Sequence, residues 1–446
     1  MEEEPGVSAA EVAAEAKRET IPNQPKRKRR RHPGRQSWPA HRRRVEPVIA
    51  GAEKNCVACG AETTVIGYDE SEQWDVEPTS YLVRVTKREK RAGAGCRPGT
   101  VTRPPLAPRI IEKGLASDAV VIQTVVAKYC DHLPLYRQAF MLEREAGVEI
   151  GRATLDGWAM RVGELLRPVT QAMRQDLLAA TYLPADETTV PVRLREKSGA
   201  NHQAYLWPYG QPGGETVVEF CLGRGREGPR KFLGQWEGLL QSDGYIAYDQ
   251  IGGPGLVPIG CWAHARRKFV DAVKINPQDV AASNMVTRMD ALFLVDRISR
   301  QARLNDEERW AARREHAASG GEEIHQECLS LSKSTLPKSS LGQAVTYPLS
   351  QWPRLRRCFD YAEVELSNNL AENSMRPVAL GRKNWLHVGS AQAGPKVAAI
   401  ISVVESCRRL GLPVKEYLAA VLPGMSQRKL SEVALLTPAR WGLSRS

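Results

Sequence analysis

The stretch between residues 181 and 275 constrains this chain most, because the spacing of its apolar residues changes from helical to strand-like and back. The segments TYLPADETTVPV, NHQAYLWPYG and ETVVEFCLG read as three strands, separated by the turn signals KSGAN and GQPGG. GPRKFLGQWEGL then reads as a helix, LLQSDGYIAYD as a short apolar strand ending in Asp243, and VPIGCWAHARRKF as a fifth strand entering a basic helix. The predicted order is three strands, helix, strand, strand, helix. In that order the first and fourth strands are neighbours. Asp186, at the centre of the first, and Asp243, at the end of the fourth, then face each other across the sheet.

This layout is that of a ribonuclease-H-like α/β core. An acid in an apolar strand is costly unless it is paired or binds a cation. A third carboxylate, Glu372, stands on a predicted helix in VELSNNLAENSMRPVALGRKNW, after the paired amides Asn368 and Asn369. Two strand acids and one helix acid can hold two Mg2+ ions roughly 4 Å apart and support in-line phosphoryl transfer. Each acid alone also reads as a surface carboxylate, and it is their matched positions in one fold order that single them out. His264, Arg266, Arg267 and Lys268 follow Asp243; Arg376, Arg382, Lys383, Asn384 and Trp385 follow Glu372. Both clusters suit DNA phosphates. Trp385 and His387 suit stacking on an exposed base, although core packing is the readier reading of Trp385.

The rest of the chain is read around this core. With 446 residues it is long enough for two to four domains, and its net charge of +12 suits a polyanionic partner such as nucleic acid. Residues 1–48 carry KRKRRR and HRRR between prolines and read as a basic, disordered tail. Residues 49–104 read as a degenerate zinc-ribbon-like segment. Cys56 and Cys59 have C-x2-C spacing, but Cys96 stands alone where a second pair is needed, which leaves a Zn2+ site one ligand short. Tyr81, Leu82, Val83 and Val85 read as strand residues there.

Residues 105–180 read as a helical domain. A helix ends at Gly147, and a second starts near Thr154 in a helix-turn-helix-like pair, burying Leu155, Trp158, Met160 or Val162, and Leu165, with Arg152 and Arg161 outward. Residues 276–345 read as a polar helical insertion, 346–412 as the last part of the core carrying Glu372, and 413–446 as a C-terminal tail. The nine scattered cysteines fit a reducing compartment. No stretch of 18 apolar residues and no apolar leader core is present, so the expectation is a cytoplasmic protein without a membrane span.

The longer motifs YCDHLPLYRQ, ADETTVPV, LQSDGY, GCWAHARRKF and SNNLAENSMRPVALGRKNWLHVGS resemble the transposase (third open reading frame) of the bacterial insertion-sequence-66 family, from roughly residue 50 to 440. The resemblance implies a DDE transposase with Asp186, Asp243 and Glu372 as its acidic triad, Mg2+ or Mn2+ as cofactor, and terminal inverted repeats and target DNA as partners. It implies cut-and-join chemistry by a homo-oligomer on DNA, with accessory proteins of the same element as further partners. Two departures stand out: the second C-x2-C pair is degraded around Cys96, and the leucine-rich coiled-coil start of many relatives is reduced to EVAAEAKRE. Two other readings remain open. One is a nuclease of the same fold that only hydrolyses DNA; the other is a DNA-binding repressor or remnant without chemistry.

Overall fold

A computed structural model describes residues 81–89, 91–92, 101–102, 105–112, 114–194 and 201–444. The expected basic tail and Cys56, Cys59 and Cys96 lie outside the described residues. Tyr81 to Val85 form no strand, and residues 81–89 are exposed without regular structure. The fold is mixed α/β, mostly helical with small sheets.

Two short antiparallel strands, β1 (Arg91–Ala92) and β2 (Val101–Thr102), precede three helices: α1 (Asp118–Tyr129), α2 (Leu135–Ala146) and α3 (Arg152–Leu177). Gly147 ends α2 at a φ of 63°, a left-handed position that costs glycine little. Leu155, Trp158, Val162 and Leu165 of α3 are buried as expected, and Arg152 and Arg161 are exposed. These helices build no core of their own, because their apolar faces join the core that covers the sheet.

The sheet strands are β3 (Tyr182–Pro184), β4 (Thr188–Arg193), β5 (Asn201–Gly210), β6 (Thr216–Cys221), β7 (Leu239–Gln241) and β8 (Val257–Ile259). β4, β5 and β6 are antiparallel neighbours, whereas β3, β7 and β8 are parallel neighbours. The expected first strand is therefore broken, and Asp186 is not at its centre. Ala185 donates its N–H to the Gln241 carbonyl of β7 (2.8 Å) and also bridges to Tyr209 of β5. The physical reason is a change of partner: the strand leaves β7 and continues along β5, and Asp186 and Glu187 occupy the switch.

Between β6 and β7 runs α4 (Glu227–Leu233), shorter than expected because Gly234 ends it at positive φ. Next come α5 (Trp262–Ile275), α6 (Val280–Gln301), α7 (Asp306–His316), α8 (Ala318–Ser334) and α9 (Ser340–Leu355). Read as a polar insertion, the 276–345 segment nevertheless forms a second apolar core: Met285, Met289, Leu292, Ile324 and Cys328 pack with Trp262 and Phe269 of α5.

The chain closes with α10 (Asn369–Trp385), α11 (Gly394–Arg409), α12 (Val414–Val421), α13 (Leu430–Val433) and α14 (Pro438–Leu443). α11 covers the edge strand β6. Ser402 and Ser406, one turn apart, accept from the N–H groups of Val218 (2.8 Å) and Thr216 (2.9 Å). An edge that would otherwise offer unpaired backbone is thereby closed. At Gly163 a Cβ would lie 2.6 Å from the Lys396 carbonyl, so α3 and α11 approach closely only because this residue has none. Residues 413–444 are no loose tail: Tyr417, Leu418, Val421 and Met425 belong to the main core, and the Ala439 N–H donates to the Glu215 carboxylate (2.6 Å).

Gln241 fastens this architecture below the acids. Fully buried, it accepts from the Tyr182 hydroxyl and donates to the carbonyls of Gly260 (3.0 Å) and Glu365 (2.7 Å). It thus joins β7, the end of β8 and the segment leading into α10. Gln241→Leu removes three hydrogen bonds, leaving the Tyr182 hydroxyl with the Glu365 N–H and the Gly260 carbonyl with the Cys358 thiol, and is expected to lower stability by about 2–4 kcal/mol, read by denaturant unfolding.

Candidate active site

Strand register carries the first two acids to the same end of the sheet. Pro184 of β3 pairs in parallel with Gln241 of β7, and Asp186 and Asp243 each lie two residues further on. Asp243 is held in a tight turn: its Oδ1 accepts from the Tyr245 N–H (2.8 Å), and its carbonyl accepts from the Tyr347 hydroxyl (2.6 Å). Gly244 follows at a φ of 87°, where a Cβ would also lie 2.6 Å from the Gln351 side chain. The positive φ favours glycine in SDGY, whereas the Gln351 amide, at the end of a flexible side chain, could move aside.

Glu372 enters from α10, and Asn368 fixes where that helix starts. Asn368 is fully buried, and its side-chain amide donates to the Ala185 carbonyl (3.1 Å), immediately before Asp186. Its own carbonyl accepts from the N–H groups of Ala371 (2.8 Å) and Glu372 (3.3 Å). One residue thus links the strand switch to the first turn of the helix. Asn369, by contrast, is exposed.

The acids lie within reach of one another's charge. Burial, and then the charges of Glu187, Glu372 and Asp243, raise the Asp186 pKa from 3.8 to about 8. Glu187 is raised mainly by burial. Its carboxylate is satisfied by Arg224 (2.6 Å) and the Tyr248 hydroxyl (3.2 Å), which oppose the rise. Among the described residues no basic side chain forms an ion pair with Asp186 or Asp243. Glu372 Oε2 accepts from Arg267 (3.2 Å), whereas its buried Oε1 makes no hydrogen bond and lies 3.4 Å from His264 Nε2. Burial pushes the His264 pKa down against the pull of Glu372 and Asp243, which keeps the imidazole neutral near pH 7.

The raised Asp186 pKa has a thermodynamic sign. Unfolding returns the group to its ordinary value, so the folded state binds its proton more tightly between about pH 4 and 8. Stability from this group is full below pH 4 and is lost as pH rises through 8. In metal-free buffer, Asp186→Asn should melt with wild type near pH 4 and about 5 °C above it at pH 8, in thermal scans at both pH values.

Hard carboxylate oxygens are the right donors for Mg2+ or Mn2+, and mutual repulsion with an unbonded Glu372 oxygen leaves room for a cation's charge. As placed, however, no three His, Cys, Asp or Glu side chains among the described residues stand close enough to hold one metal ion together. Glu372 is instead turned to Arg267.

The basic residues divide into two groups. Arg266 is paired with Asp290 (2.6 and 3.1 Å), Arg267 with Glu372, and Arg382 with the Thr189 carbonyl (2.7 Å) and hydroxyl (2.9 Å) on β4. Lys268, Arg376, Lys383 and Asn384 are exposed. Arg376 and Lys383 follow Glu372 at helical spacing, so an exposed basic stripe runs along α10 from the acids. Trp385 is half-buried against the main core. Sequence reasoning missed Glu187, Gln241 and Tyr347 as parts of the site. The signal for Gln241 was a polar residue closing an apolar strand, where only internal partners can satisfy it.

Comparison with known proteins bears on this geometry. The family model described as Transposase IS66 family matches residues 113–396. An uncharacterized protein of Sinorhizobium fredii, y4qI, is 32% identical over 434 residues, covering 91% of this chain and 77% of its own. A second from the same organism, y4jD, is 30% identical over 420 residues, covering 90% of this chain and 81% of its own. The chain belongs to the IS66 transposase family.

Proposed function

We propose that this member of the IS66 transposase family is a DDE transposase that binds the terminal inverted repeats of its element, cleaves a DNA strand and joins the freed end to target DNA. One observation carries the reading: β3 and β7 run parallel and in register toward Asp186 and Asp243, and Asn368 ties the helix of Glu372 to the same strand end. The strand order supports a ribonuclease-H-like core, since two parallel strands join the first strand on the side opposite its antiparallel hairpin. Asp186, Asp243 and Glu372 would hold Mg2+ or Mn2+, which supplies charge neutralisation at the reacting phosphate. Glu372 must then leave Arg267, and the released guanidinium becomes free to pair with a phosphate.

The remaining residues act on DNA by position and charge. Arg376 and Lys383 track the backbone from the acids along α10, while Arg382 and Arg266 hold helices in place. The net charge of +12 suits DNA as partner. Assembly as a homo-oligomer on DNA, with accessory proteins of the element, in the bacterial cytoplasm, completes the proposal. No helix among the described residues is long and apolar enough to cross a membrane.

The test is a strand-transfer assay with purified full chain, Mg2+ or Mn2+, labelled DNA carrying the element's ends, and a supercoiled target. Joined products are expected. Cleavage without joining would leave a nuclease, and binding of the ends without cleavage would leave a repressor or remnant.

A further inference from the structure

About 20 Å along α10 from Glu372, at the rise of an α-helix, Trp385 borders a cleft of about 270 Å³. Lys128 and Tyr129 of α1, Asp156 and Met160 of α3, the loop from His387 to Ala393, and Lys396 and Val397 of α11 complete its wall, Lys396 lying 3.4 Å from the Glu164 carboxylate. The loop is rigidly seated: the Val388 N–H donates to the Pro191 carbonyl (2.8 Å), and the Val388 carbonyl accepts from Arg193 (3.0 Å). The Lys128 ammonium lies 5.7 Å from the Trp385 ring centroid. Tyr129 is 6% exposed, and its buried hydroxyl has no hydrogen-bond partner.

We propose that this cleft receives one unpaired nucleotide of the DNA end, its base against Trp385 and its phosphate beside Lys128 and Lys396. The proposal rests on the transposase reading and adds a site to it. An aromatic face and an adjacent cation are what a base and its phosphate need together, and a paired duplex cannot enter so small a space. Trp385 lies on the far side of α10 from Glu372, Arg376 and Lys383, so DNA held at the acids must turn around the end of the helix to reach the cleft. The unpaired position therefore falls at least about six stacked nucleotides from the cleaved phosphate, at 3.4 Å per nucleotide.

The test measures binding of the full chain to two DNAs, a fully paired duplex and the same duplex with one unpaired 2-aminopurine walked along it. Wild type should prefer the unpaired form by about tenfold and quench its fluorescence at one or two positions. Trp385→Phe should keep the preference and Trp385→Ala lose it. Because Trp385→Ala removes a packed side chain, Gly389→Phe provides a second variant: a Cβ there meets no atom within 4 Å, so the ring can enter the cleft without disturbing the fold. It too should abolish the preference. Equal affinity for the two DNAs, or a preference that survives Gly389→Phe, overturns the proposal. So does 2-aminopurine deoxynucleotide binding alone as tightly as in DNA, which marks a free-nucleotide site. If ends are joined without the preference, only the cleft proposal falls. If no DNA binds, both readings fall.

Discussion

Glu372→Gln is expected to reduce strand cleavage by about a thousandfold or more while leaving binding of the element's ends within a fewfold of wild type. The substitution keeps size and hydrogen-bonding capacity but removes the charge that a cation needs. Glu372 Oε1 makes no hydrogen bond, and Oε2 has only Arg267, so little structure depends on the charge. Asp243→Asn should behave alike, because its Oδ1 still accepts from Tyr245 and its carbonyl from Tyr347. Cleavage of labelled ends under single-turnover conditions, beside a binding titration, separates the two effects. Loss of binding and cleavage together would make these carboxylates structural.

Asn368→Leu should cost about a hundredfold in cleavage, with DNA binding retained. The amide is the only described side-chain hydrogen bond between the strand switch and the first turn of α10. Removing it leaves the Ala185 carbonyl unpaired and frees the helix start by fractions of an ångström, and displacements of that order cost about two orders of magnitude in rate. The leucine fills similar volume, which limits collapse of the site. Asn368→Asp, which retains an acceptor but loses the donor to Ala185, should fall nearly as far. Cleavage rates at saturating Mn2+ check this: a rate within twofold of wild type would show that α10 is positioned by other contacts.

The parts of this fold that were legible in the sequence are local. The break at Gly147 between α2 and α3 follows from a single glycine, and the buried face of α3 follows from helical spacing. Asp186 and Asp243 could be picked out because acids at the centre or end of an apolar strand need a reason. Glu372 stood out through its amide neighbours, of which Asn368 has a structural role and Asn369 does not.

The rest depended on partners far away in the chain. The switch at Ala185 requires both β5 and β7, which lie on different sequence segments, so the first strand read as continuous. Arg266 and Arg382 read as phosphate-facing because a basic run carries no sign of its partner, yet Asp290 pairs with Arg266 at the surface and Thr189 holds Arg382 against β4. Composition made residues 276–345 look like a polar insertion, since the apolar residues of α6, α8 and α9 are spread thinly and meet only around Trp262. The C-terminal helices were unplaceable for the same reason: Tyr417 and Leu418 pack into a core assembled from α1, α3 and α11.

The most direct measurement of the central claim is a Mn2+ titration, read by the loss of the free-ion electron paramagnetic resonance signal, on full chain bound to DNA carrying the element's ends. Wild type should bind Mn2+, and Asp186→Asn, Asp243→Asn and Glu372→Gln should each weaken binding by about tenfold or more. Mn2+ binding that is unchanged when all three acids are replaced would contradict the account, because the ion would then be held elsewhere.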